Sequence, residues 1–316
     1  MKVVILTEGG QEIGFGHITR CIALCQAFDK EGAATEFIVN GDSKTKELLK
    51  DNKHRTFNWL KERNKLFELA SYANLVIIDS YLAAKSIYDS ISEITNGQMA
   101  VIDDYRRLEY PRGIVINPSI YGDELNYPLK EELVYLLGKN YIILRNEFRK
   151  IPQKKINKEV KNILITFGGV NCYDLVHKII DDCKASFGFN FYTIDPEKKK
   201  LKAKEMLDLM LETDICISGG GQTTYELARV GIPTIGICFA ENQKLNLEGW
   251  QKKGFIDYVG ECIDNDISTK IAEAINNLIP RRERVMRSEI GRRNVDGKGA
   301  ERIGKTLSKV QAHGLS

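Results

Sequence analysis

Proline is scarce in this chain of 316 residues, at seven, and there are only four histidines and two tryptophans. So little proline, beside 43% hydrophobic and 28% charged residues, excludes a disordered or collagen-like chain. There is no excess of either charge. The 46 Lys and Arg stand against 43 Asp and Glu, and a net +3 gives no reason to expect a nucleic-acid or membrane-surface partner. No apolar run comes near the ~20 residues that cross a bilayer. The longest, 232–240, is interrupted by Pro233. The opening MKVVIL, followed by Thr7 and Glu8, reads as a strand and not as a basic-then-apolar secretory signal, so a cytoplasmic protein is expected. There is no Cys-x-x-Cys. The seven cysteines are irregularly spaced and the histidines at 17, 54, 177 and 313 are scattered, so no metal site is expected. Cys21 and Cys25 share a helix face and read as small buried hydrophobes.

What is present is an alternation. Short apolar runs at 3–6, 35–39, 75–78, 100–102 and 114–116 are separated by stretches with helical apolar spacing, such as 18–28. The same grammar returns at 162–166, 189–194, 215–218, 234–237 and 256–259, with a helix over 223–230 closed by Gly231 and Pro233. Strand and helix repeated this way predict parallel sheets covered on both faces. Residues 148–160 are polar and basic and read as a linker. The expectation is two doubly wound Rossmann-like α/β domains, 1–150 and 151–290, facing a cleft. A helical tail, 291–316, is expected to pack back on the first domain.

Glycine is concentrated where such folds bind ligands, at the ends of strands. The first strand runs into Gly14-Phe-Gly16-His17-Ile-Thr-Arg20. Bare backbone N–H groups at a helix start suit an anion. Thr19 stands where a dinucleotide fingerprint needs its third glycine, and no Gly-Lys-Ser/Thr follows, so NAD and ATP are disfavoured and no cofactor is expected. His17, at the positive end of a helix, is expected to be a neutral imidazole able to act as a general base. Arg20 either holds an anionic group or pairs with a carboxylate. In the second half, Ser218-Gly-Gly220-Gly221-Gln222-Thr223-Thr-Tyr-Glu226 follows a strand and opens a helix. With Phe167-Gly168-Gly169 it suits a nucleoside diphosphate. Asp79-Ser80-Tyr81, Asp103-Asp104 and Asn242-Gln243 lie at further strand ends.

These stretches, with Arg145-Asn-Glu-Phe148 and the 296–302 segment, resemble the pseudaminic-acid pathway hydrolases and the related spore-coat polysaccharide proteins. The former cleave UDP-2,4-diacetamido-2,4,6-trideoxy-β-L-altrose to free sugar and UDP. The resemblance implies a GT-B architecture and a small UDP-sugar as partner, and a monomer is expected. It implies that His17 activates water, that Tyr81 and Asn242 position the reacting groups, that Glu226 holds the ribose and that Arg145 lies near the nucleoside. Gly14, Gly16, Arg20, Asp104, Gly169, Gly220, Gly221, Gln222, Thr223 and Gln243 complete the expected substrate contacts. Ser80 stands where many members have His, and Asn171 where Asp is frequent. Both departures bear on which sugar is bound. Hydrolysis by C–O cleavage with inversion, independent of metal, is the expected reaction. Two alternatives stay open: a GT-B glycosyltransferase, for which the amphipathic 58–72 stretch speaks, and a nucleotide-sugar-binding protein without catalysis.

Overall fold

The structure is a computed structural model that describes residues 1–10, 13–169, 172–186, 188–194 and 201–313. Of the residues singled out above, Asn171 lies outside the described residues, as do two residues between the first strand and Gly14. The chain forms two compact units, Met1–Asn146 with Lys298–Ser316, and Glu147–Gly297.

The first unit carries β1 (Lys2–Gly9), α1 (Gly16–Lys30), β2 (Ala34–Gly41), α2 (Ser43–Leu48), β3 (His54–Thr56) and α3 (Arg63–Ser71). It continues through β4 (Leu75–Asp79), α4 (Lys85–Ile94), β5 (Met99–Ile102), β6 (Gly113–Asn117) and β7 (Leu133–Leu137). The seven strands are parallel, in the order β3-β2-β1-β4-β5-β6-β7. Alternate side chains of β1 explain why the strands read as unbroken apolar runs. Val3 and Ile5 enter one core with Ile18, Leu24 and Phe28 of α1, while Val4 and Leu6 enter the other with Leu66, Ile87 and Tyr88.

The second unit holds β8 (Asn162–Thr166), α5 (Tyr173–Ser186), β9 (Asn190–Thr193), α6 (Ala203–Glu212), β10 (Ile215–Gly219) and α7 (Thr223–Val230). It ends with β11 (Thr234–Cys238), α8 (Glu241–Lys253), β12 (Ile256–Glu261), α9 (Ile267–Leu278) and α10 (Arg281–Asn294). Its five parallel strands run β12-β11-β10-β8-β9. Gly231 ends α7 at φ +85°, a left-handed cap that glycine adopts without strain.

One feature differs from a plain reading of polarity. The 148–160 stretch is anchored to the second unit. Phe148 is fully buried, Arg229 donates to the Phe148 and Arg149 carbonyls at 2.9 and 2.8 Å, and the Lys154 ammonium donates to the Met210 and Leu211 carbonyls at 3.3 and 2.6 Å. The last helix, α11 (Gly299–His313), belongs to the first unit. Ala300, Ile303 and Leu307 join the core on the α1 side, and a side chain at Gly299 would collide with the Ile142 backbone.

Both sheets have a switch point, where successive strands depart to opposite sides. It lies between β1 and β4 in the first unit and between β8 and β10 in the second. Such points open a crevice at the carboxyl ends of the strands.

Candidate active site

At the first switch point, Asp79 ends β4 in register with Thr7 of β1 and Ile102 of β5. It is fully buried. Its Oδ1 lies 2.6 Å from Nδ1 of His17, the second residue of α1. The carboxylate must accept, so Nδ1 carries a proton, and in the neutral form of the ring the lone pair is then on Nε2. No hydrogen bond engages Nε2 among the described residues. The helix start is therefore not the only field acting on His17: a buried carboxylate faces it.

Arg20, one turn further along α1, is 7% exposed and bound to two carboxylates. Its Nε and Nη2 donate to the two oxygens of Asp79 at 2.7 and 2.6 Å, and Nη1 donates to both oxygens of Asp104 at 2.8 Å. Burial by itself raises the Asp79 carboxyl, but the Arg20 guanidinium and the His17 ring outweigh it and hold the group well below the usual carboxylate range. The Tyr81 hydroxyl donates to Asp104 Oδ2 at 2.5 Å. Burial, and then the Asp104 charge, push that hydroxyl far above the ordinary phenol range, so it stays protonated. The Tyr81 ring meets the His17 ring edge-on at 4.3 Å between centroids, and Tyr105 lies 5.3 Å beyond.

Behind this group stands Glu8 at the tip of β1, fully buried. It accepts from Ser80 Oγ at 2.5 Å and from the Tyr81 and Leu82 amides at 2.7 and 3.1 Å, fixing the turn that presents Tyr81. Ser80, expected to bear on the sugar, is buried and spends its hydroxyl on this turn. Asp103 caps its own turn, accepting from the Arg107 amide and from the Tyr127 hydroxyl, both at 3.0 Å. Burial raises the Cys21 thiol, and Asp79 beside it adds to the shift, which suits an inert residue. Gly14, at φ +82°, closes the loop by a bridge to Gly10, and Gly16 opens α1. Arg145 is half-buried between two 3-10 turns, Lys139–Tyr141 and Asn146–Phe148.

In the second unit the switch point brings together the Gly168-Gly169 turn after β8, the Gly219–Gly221 turn after β10 and the start of α8. A Cβ on Gly219 would sit 3.7 Å from the Phe167 Cα. One on Gly220 would sit 2.7–2.9 Å from Leu247 and Gln243, so α8 leaves room only for glycine there. One on Gly221 meets nothing within 4 Å. The turn is held from behind. Gln243 Oε1 accepts from the Gly220 and Phe239 amides at 3.0 and 3.2 Å, and Asn246 Nδ2 donates to the Gly220 carbonyl at 2.8 Å. Gln243 thus braces the glycine turn. Gln222 and Thr223 are half-buried at the start of α7, Glu226 is buried in its first turn, and Asn242 is exposed in the first turn of α8.

Sequence reasoning passed over Glu8 and the role of Asp79. The usable signal was, for Asp79, a carboxylate ending a strand whose other positions are all apolar, and, for Glu8, a carboxylate at the tip of the strand that runs into the glycine loop. Among the described residues, no group of three or more His, Cys, Asp or Glu is placed to hold a metal, and no helix is long and apolar enough to cross a membrane.

No protein-family model matches the chain. It is 25% identical over 285 residues to an uncharacterized protein of Methanocaldococcus jannaschii, covering 80% of this chain and 59% of that one. It is 24% identical to the spore coat polysaccharide biosynthesis protein SpsG of Bacillus subtilis, over 98% of both chains. It is also 24% identical to the UDP-2,4-diacetamido-2,4,6-trideoxy-beta-L-altropyranose hydrolase of Campylobacter jejuni, over 81% of this chain and 98% of that one. The resemblance carried by the Gly-x-Gly-His motif is thus to named relatives along most of the chain. Among solved structures, MurG of Acinetobacter baumannii matches with a TM-score of 0.68 at 12% identity, over 98% of this chain and 100% of that one. The calicheamicin glycosyltransferase CalG4 matches at 0.63 and 10%, over 100% of this chain and 99% of that one. These likenesses show the fold, two Rossmann-like units of GT-B type.

Proposed function

We propose that the chain hydrolyses a UDP-linked diacetamido-trideoxy sugar to the free sugar and UDP, in the making of a surface polysaccharide or a nonulosonic acid. The observation that carries this reading is the His17–Asp79 pair. Its imidazole has Nδ1 tied to a buried carboxylate and Nε2 left to act, with the protonated Tyr81 hydroxyl packed beside it. A protein that only binds a nucleotide sugar has no use for an oriented base. The names of the relatives agree with it.

In this mechanism Nε2 of His17 takes a proton from water as its oxygen bonds to the anomeric carbon. The bond from that carbon to the diphosphate oxygen breaks, and its electron pair leaves with UDP. Attack from the face opposite the leaving group inverts the anomeric centre. Asp79 stabilises the imidazolium that forms, as the aspartate does in a Ser-His-Asp triad. Tyr81 and Asn242 position the sugar. Backbone amides of the Gly220–Thr223 turn and the positive end of α7 meet the charge growing on the diphosphate. Glu226 holds the ribose, and Arg145 lies toward the nucleoside. A diphosphate leaves readily, so the reaction needs no strong general acid and is expected to proceed without a metal.

The test is UDP release from the UDP-sugar in excess EDTA with no acceptor present. Release is expected, and His17→Phe is expected to abolish it while UDP still binds. If release requires an acceptor hydroxyl, the chain is a transferase and the reading fails.

A further inference from the structure

Arg20 reaches both His17 and Tyr81 through their carboxylate partners. Its Nε–Nη2 edge lies flat against Asp79, the residue that fixes His17. Its remaining nitrogen, Nη1, spans both oxygens of Asp104, the residue that fixes the Tyr81 hydroxyl. The fork is buried and its nitrogens are spent on the protein, so no edge is left to grip a phosphate. A guanidinium is the one side chain that can do this, because its planar donors fit two carboxylates at fixed angles, whereas an ammonium is a point charge.

We propose that Arg20 is a positioning residue: a single guanidinium, clamping Asp79 and Asp104, sets the orientation of His17 and Tyr81 together. This rests on the hydrolase reading for its kinetic consequences. The two aromatic rings stand 4.3 Å apart at nearly a right angle, and nothing in α1 alone dictates that arrangement. It follows from two carboxylates, one ending β4 and one just after β5, being drawn onto the same cation. The charged and titratable groups facing His17 are Asp79 from β4, Arg20 from α1 and Tyr81 from the following turn. Asp104 acts on it through Arg20 and Tyr81, Cys21 of α1 lies on Asp79, and Glu8 of β1 holds the backbone of the turn.

The experiment pairs Arg20→Ala with Asp104→Asn. Arg20→Ala is expected to lower kcat about 10²-fold, the usual cost of a misplaced catalytic group. UDP affinity is expected to stay within about twofold, since the loop in the second unit is untouched. Removing the cation from Asp79 leaves that carboxylate freer to favour the imidazolium, so the acid limb of the kcat/KM profile should move to higher pH. Added guanidinium, below denaturing concentration, should restore part of kcat. Asp104→Asn keeps the shape and an acceptor and tests the other arm if Arg20→Ala folds poorly: kcat should fall with KM unchanged. A rise of about tenfold or more in KM or in the UDP Kd, with kcat and the pH profile unchanged, would overturn the proposal and make Arg20 a substrate contact. A second readout needs no turnover. The His17 ring signals in NMR, assigned by their loss in His17→Gln, should titrate at higher pH in Arg20→Ala than in the wild type. Identical titrations overturn the coupling even if the enzyme is a hydrolase. Absence of UDP release by the wild type overturns the function while leaving this readout to stand or fall alone.

Discussion

His17 Nδ1 lies 2.6 Å from Asp79 Oδ1, although 62 residues separate them in the chain. The contact exists because β1 and β4 are neighbours in the sheet, so the helix leaving β1 starts beside the end of β4. Asp79→Asn keeps the shape but offers an amide that can donate to Nδ1 and stabilise the wrong tautomer. The expected result is a loss of kcat between about 10²- and 10⁴-fold with KM little changed. Steady-state kinetics with UDP binding by calorimetry check it, and a variant with wild-type kcat removes Asp79 from the mechanism.

Gly220 and Gly221 are adjacent and look alike in the sequence, yet they answer to different demands. A methyl group at Gly220 collides with Leu247 and Gln243, while one at Gly221 meets open space. Gly220→Ala is expected to cost about 1–3 kcal/mol of stability, as overpacking does. Gly221→Ala should fold as the wild type and weaken UDP binding about tenfold or more, because a side chain there would keep a diphosphate from the backbone amides. Denaturant melts and UDP titrations separate the two. Equal effects on stability and binding from both variants would contradict the assignment of this turn.

Much of the fold was legible. The buried strands announced themselves as apolar runs because both faces of each sheet are covered, and α7 was bounded correctly because Gly231 must adopt a left-handed cap. β3 passed unnoticed because three half-exposed edge residues, His54–Thr56, carry no pattern. The 148–160 stretch looked like a linker because most of its anchors, from Arg229, Lys154 and Arg284, run to or from backbone carbonyls, which no sequence displays. In the site, the glycines pointed to His17, and Tyr81 came through the resemblance. The ties that orient them, from Asp79, Asp104 and Glu8, join residues brought together only by strand order.

The Lys154 amine is pushed down to about 8 by burial, against the pull of Asp214. The folded state therefore binds this proton less tightly than the unfolded chain, whose lysine titrates near 10.4. Between about pH 8 and 10 the unfolded state holds more protons, so this group makes stability rise with pH over that window, by up to about 3 kcal/mol. The neutral amine still has two N–H groups for the Met210 and Leu211 carbonyls. Denaturant unfolding of the wild type and Lys154→Met across that window checks it: the wild-type curve should gain stability relative to the variant, and parallel curves would refute the assignment.

In the proposed mechanism water attacks the anomeric carbon of a UDP-sugar under the control of His17. Turnover in ¹⁸O-water, with mass analysis of both products across a panel of UDP-linked deoxyamino sugars, tests it most directly. The label is expected on C1 of the free sugar, with inverted configuration and none in UDP. Label in the released phosphate, or no release until an acceptor is supplied, would contradict it.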